Sequence, residues 1–170
     1  MLSANKDVVD PIDLLQNGGV SVAQETTDDV SLIWLADQTT LKSALAILEA
    51  DQDGNNTARI QKIYGAQELK VKFGDPAQGR APDIIIQPIP GTIYSGSAKK
   101  IAEHGGFAAD DTHVMLVVSN PKLEARKVHH PVANKQVAPT ILKSLGLNPS
   151  DLQAVRIEHT RVLPGLVFED

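Results

Sequence analysis

Asp83-Ile84-Ile85-Ile86-Gln87 (DIIIQ) is the stretch on which the fold turns. Three consecutive isoleucines leave no polar face, and the run ends against Pro88 and Pro90. A strand of that kind is covered on both sides, the usual state of strands in a parallel sheet sheathed by helices. Two more runs share its character, Val30 to Leu35 (VSLIWL) and Val114 to Ser119 (VMLVVS). After the first of these, Leu41, Ala44, Leu45 and Leu48 fall at i, i+3, i+4 and i+7. That spacing predicts a helix over Thr39 to Ala50, with Thr39 or Thr40 as N-cap and Gly54 shortly past its end. A strand followed by an amphipathic helix is half of a βαβ unit. The expected class is therefore α/β with a mostly parallel sheet.

Working outward, Arg59 to Tyr64 and Leu69 to Phe73 read as two short strands around Gly65-Ala66-Gln67, a small inserted hairpin. Lys135 to Leu145 reads as a helix around Pro139 closed by Gly146, and Asn148-Pro149-Ser150-Asp151 as the cap of a last short helix. Residues 1–27 are polar, turn-rich and poorly defined, so the domain is expected over 28–170. Three buried strands make a narrow sheet beside the usual four to six or so. A missing portion of sheet would account for that.

The 170 residues are 42% apolar and fit one domain with an ordinary core. Sixteen Lys and Arg against twenty-one Asp and Glu give a formal charge of −5, which lacks the footprint of a general nucleic-acid-binding surface. No apolar stretch approaches the ~20 residues that cross a bilayer. The absence of cysteine excludes disulfides, thiolate zinc sites and cysteine nucleophiles. Read literally from Met1, the start has no signal-peptide core and the expected location is cytoplasmic.

Of the five histidines, His104 stands in the most suggestive setting. Glu103-His104-Gly105-Gly106-Phe107 lies in a loop before an apolar run, and two glycines after a histidine let the backbone approach a ligand closely. The plain alternative is a loop histidine near a turn. His113 reads as a strand-entry residue, His129-His130 as a surface loop before Pro131, and His159 as solvated beside Glu158. No His-x-x-x-His or Glu-x-x-His spacing puts two ligands on one helical face. Asp51-Gln52-Asp53-Gly54-Asn55 imitates a calcium loop, but Asn56 stands where glycine is needed and Lys62 where glutamate is needed. Ser95-Gly96-Ser97-Ala98-Lys99-Lys100 lacks the P-loop spacing, and neither a G-x-S-x-G elbow nor a G-x-G-x-x-G fingerprint occurs.

Asp83 to Asn120 (DIIIQPIPGTIYSGSAKKIAEHGGFAADDTHVMLVVSN) resembles the late part of alkaline-phosphatase-superfamily hydrolases, closest to the type I phosphodiesterase/nucleotide pyrophosphatase branch. Asp28 to Gln38 (DDVSLIWLADQ) is similar to a family strand, Gln136 to Leu147 (QVAPTILKSLGL) to its late helix, and Glu158 to Leu166 (EHTRVLPGL) to its closing segment. The resemblance implies the C-terminal portion of a three-layer α/β sandwich and a phosphoric-ester substrate. It also implies a two-metal site, usually zinc, in which His104 is the last metal-binding histidine. Paired cations of that kind stabilise both attacking and leaving oxygens. His113 matches a family position but is read as supporting structure. The family's nucleophile and its Asp-His-Gly motif find no counterpart, since His104 follows Glu103. The expectation is thus a chain that brings one metal ligand and no catalytic or cofactor-binding residue. Its partner would be the missing N-terminal half, and a full-length relative would be secreted or periplasmic. The other reading is a non-catalytic α/β binding or assembly module.

Overall fold

The computed structural model describes residues 8–95, 103–121 and 123–166. They form two compact units, 1–115 and 116–170. The first is built on a four-stranded sheet of β1 (Val22–Thr27), β2 (Ser31–Leu35), β3 (Ile60–Gly65) and β4 (Ile84–Pro88), in the order β1-β2-β4-β3. Every neighbouring pair is antiparallel: β1 with β2, β2 with β4, and β3 with β4. The mostly parallel, alkaline-phosphatase-like sheet expected from the sequence is therefore corrected to a small antiparallel one. The reason lies in β4. Strands β2 and β3 do run parallel to one another, joined by helix α2 (Leu41–Asp53), but β4 fills the place between them in the opposite sense. A doubly covered central strand is apolar on both faces whichever way its neighbours run, so the isoleucine run could not report direction.

Burial follows the pleat. Ile84 and Ile86 of β4 point to one face with Ile33 and Leu35 of β2, where Ile12 and Leu15 of α1 (Pro11–Asn17) and Ala44 and Leu48 of α2 cover them. Ile85 points to the other face and packs with Tyr64 and Leu69. Leu69 belongs to α3 (Ala66–Phe73), so the second strand of the expected hairpin is a helix. Gly65 in extended conformation precedes it, Leu69 turns toward the sheet, and Glu68 pairs with Lys72 one turn on. Gln, Glu, Leu and Lys favour helix, and that preference prevails over the β-type Val71 and Phe73. The N-terminal residues also take part: Asp10 caps α1 by accepting from the Ile12 N–H at 2.9 Å, and β1 is an edge of the sheet.

Among the described residues the third expected strand, Val114–Ser119, forms no ladder, and it is exposed. Its composition asks for burial, but a strand exists only where another backbone accepts and donates to it.

In the second unit α5 (Val137–Ser144) is followed by Gly146 at φ +71°, and the Leu147 N–H returns to the Leu142 carbonyl at 2.9 Å. Thr140 links this helix to the tail, since its hydroxyl donates to Gln136 O and accepts from the Leu163 N–H at 2.8 Å. Asn148 caps a 3-10 turn over Pro149–Asp151, and α6 spans Gln153–Glu158.

Candidate functional site

The loop that carries His104 is fixed by its neighbours. Phe107 packs edge-on against Tyr64 with ring centroids 5.5 Å apart and stacks on Phe73 at 5.8 Å, so the loop is anchored to the second face of the sheet. Beyond it, the short helix α4 (Ala109–Thr112) turns the chain, and its first residues project Asp110 and Asp111. Gly105 adopts φ +99°, a conformation that favours glycine. Gly106 is close-packed: a Cβ there would collide with the Asp111 carboxylate and lie 3.2 Å from the Asp29 Cβ. His104 is exposed.

Asp29 stands just before β2. Because Ser31 pairs with Ile86, that position lies beside the C-terminal end of β4. The Asp28 carbonyl accepts from the Tyr94 N–H at 3.0 Å, which ties the segment after β4 to the same place. The Asp29 carboxyl is pushed up to about 6, first by burial, then by the charges of Asp111 and Glu103, a hydrogen bond with Asp111, and the charge of Asp28. Like charges brought this close cannot all ionise at ordinary cost, so Asp29 holds its proton well above the usual carboxylate range.

The sign of the resulting pH dependence follows from that elevation. The folded state takes up a proton at Asp29 that the unfolded chain releases near 4, so the Asp29 contribution is complete below pH 4 and is lost as pH rises through 6. Solvent screening of this partly exposed group limits the effect to about 1 kcal/mol or less. Asp29→Asn is expected to be more stable than the parent at pH 7.5 and to lose that advantage at pH 4, read as urea midpoints. Parallel pH profiles for the two proteins would contradict it.

The remaining histidines fall elsewhere. The His113 ring Nδ1 lies 2.9 Å from the Ala109 carbonyl, which fastens it to α4. His129 and His130 are exposed, and His159 ends α6 in the left-handed region at φ +52°. The calcium-like Asp51 closes a loop: its carboxylate accepts from the Thr57 N–H at 3.0 Å, the Thr57 hydroxyl at 2.5 Å and the Ala58 N–H at 3.0 Å. Burial pushes Asp51 up, but these hydrogen bonds outweigh it and hold the carboxyl below its ordinary value. Of the lysine- and serine-containing stretch, 96–100 lies outside the described residues.

Among the described residues, no three His, Asp or Glu side chains are placed to hold a metal ion. A catalytic zinc typically takes about three protein ligands. The donors around His104 therefore do not by themselves fit a resident zinc. The meeting of Asp29 with Asp111 is the feature the sequence did not show. Both sit in acidic doublets, but nothing local says that doublets so far apart in the chain converge. No helix among the described residues is long and apolar enough to cross a membrane. Compared with protein-family models, curated proteins and solved structures, the chain gave no match.

Proposed function

We propose that the chain is the C-terminal portion of a metal-dependent hydrolase of phosphoric esters, of phosphodiesterase/nucleotide pyrophosphatase type, and is inactive alone. The observation that carries this reading is the exposed His104 in a His-Gly-Gly loop whose Gly106 packs against Asp29 and Asp111. Exposure leaves the imidazole accessible to a cation, and the glycines keep side chains out of its way. In this reading zinc is the metal, His104 is one of its ligands, and the other donors and the nucleophile come from the remaining N-terminal half. A second reading, a non-catalytic α/β binding or assembly module, is favoured by the lack of a metal-competent cluster among the described residues.

Reconstitution separates the two. The purified chain alone is expected not to hydrolyse bis(p-nitrophenyl) phosphate with added zinc. Mixed with the polypeptide encoded immediately upstream, it is expected to restore zinc-dependent hydrolysis, and His104→Ala to lower that rate at least about 100-fold. Restored hydrolysis that is indifferent to His104→Ala, or no hydrolysis in the mixture, would contradict the hydrolase reading.

A further inference from the structure

Gly106 is the point at which its loop, α4 and the residue before β2 meet, all within the first unit. Its φ is not positive, so glycine serves there for room rather than for conformation. The Asp111 carboxylate lies over it where a Cβ would stand, and the Asp29 Cβ is 3.2 Å from the same position. Asp29, Gly106 and Asp111 are each half-buried, whereas Asp110, the neighbour of Asp111 on α4, is exposed. Asp29 and Asp111 share a hydrogen bond. Two carboxyl groups can do so only while one of them keeps a proton, because an ionised carboxylate accepts and does not donate. The contact therefore exists in one protonation state and turns to repulsion in the other.

We propose that Asp29 and Asp111 form a proton-operated latch: one shared proton closes α4 and its loop onto the start of β2, and loss of that proton releases them. The groups that face Asp29 are Asp111 on α4, Glu103 in the loop and Asp28 beside it in the chain. All three are acids, and each raises the cost of ionising Asp29. Burial is the largest part of that cost, and release falls near pH 6. Phe107, in contact with both Tyr64 and Phe73, is a second anchor, apolar and indifferent to protons. The segment thus yields at its acid end and stays held at its aromatic end. This makes the setting of the loop depend on pH on the acid side of neutrality. The latch is independent of the hydrolase reading, since it concerns how the loop is held and not what His104 binds.

NMR of the full chain without added metal, at pH 5 and pH 7.5, reads the latch through nuclear Overhauser contacts from the Gly106 α protons to the β protons of Asp29 and Asp111. The ratio of open to closed forms is expected to rise about tenfold between the two conditions, with a midpoint near 6, solvent around the half-buried pair moderating the effect. The Phe107–Tyr64 contact is expected to persist at both. Asp29→Asn, whose amide can donate to Asp111 at either pH, is expected to keep the Gly106 contacts at pH 7.5. Gly106→Ala, whose methyl displaces the Asp111 carboxylate, is expected to be open at both values with unchanged circular dichroism. Where alanine at 106 unfolds the chain, Asp29→Asn decides. Parent contacts equally strong at both pH values overturn the proposal. A transition that persists in Asp29→Asn belongs to another group of the segment, such as His104 or His113, and overturns it equally.

Discussion

Ile84→Ala is expected to destabilise the first unit by about 3–4 kcal/mol. Ile84 is fully buried at the centre of the sheet, opposite Ile33 of β2 and Gly65 of β3, and packs into the cluster formed with α1 and α2. Truncation removes the transfer energy of the lost carbons and leaves a cavity that three strands and two helices cannot collapse to fill. Against a typical total of about 5–15 kcal/mol this is a large share. Val114→Ala, in the other kind of apolar run, is expected to change stability by less than about 0.5 kcal/mol in dilute protein. Urea unfolding of both variants, with unchanged m-values, checks the pair. Equal losses would mean that Val114 is packed in a core, against the exposure seen here.

Asp83→Ala is expected to cost about 2–3 kcal/mol. Asp83 is buried where β4 begins, and its carboxylate accepts from the Leu35 N–H at 2.8 Å and from Gln38 Nε2 at 2.9 Å, while its own N–H donates to Ile33 O at 2.8 Å. One side chain thus finishes the ladder between β2 and β4 after the strands have ended. Alanine leaves the Leu35 amide without its partner in a dry setting, and that unmet donor is the main part of the loss. Asp83→Asn keeps one carbonyl oxygen for that amide and is expected to lose only about 1 kcal/mol. Differential scanning calorimetry orders the three proteins. An alanine variant no less stable than the asparagine variant would contradict the role of the Leu35 hydrogen bond.

The two predictions also mark where sequence reading worked. The leucine and alanine spacing of α2, the glycine after α5 and the isoleucine run of β4 were legible because each signal is local: a helical period, a positive-φ position, a doubly buried strand. Strand direction was not legible, since it depends on which element fills the slot between β2 and β3. The helix at Ala66–Phe73 was misread because Val71 and Phe73 look β-like, while Leu69 on the buried side and the Glu68–Lys72 pair supply helical support. Val114–Ser119 has the composition of a buried strand, but a need for burial does not supply a ladder.

In the sequence His104 stands out by the glycines beside it, and in the structure the His113 ring lies against the Ala109 carbonyl. The Asp29–Asp111 contact was not legible, because it arises from the return of the chain after β4 and the anchoring of Phe107 between Tyr64 and Phe73.

Zinc titration of the labelled chain, followed on its imidazole NMR signals, asks most directly whether His104 is the donor that this polypeptide brings to a metal centre. The His104 signals are expected to move first, with weak affinity, and the leading response to vanish in His104→Ala while the other four histidines are unaffected. A response spread evenly over His113, His129, His130 and His159, and unchanged by His104→Ala, would contradict it.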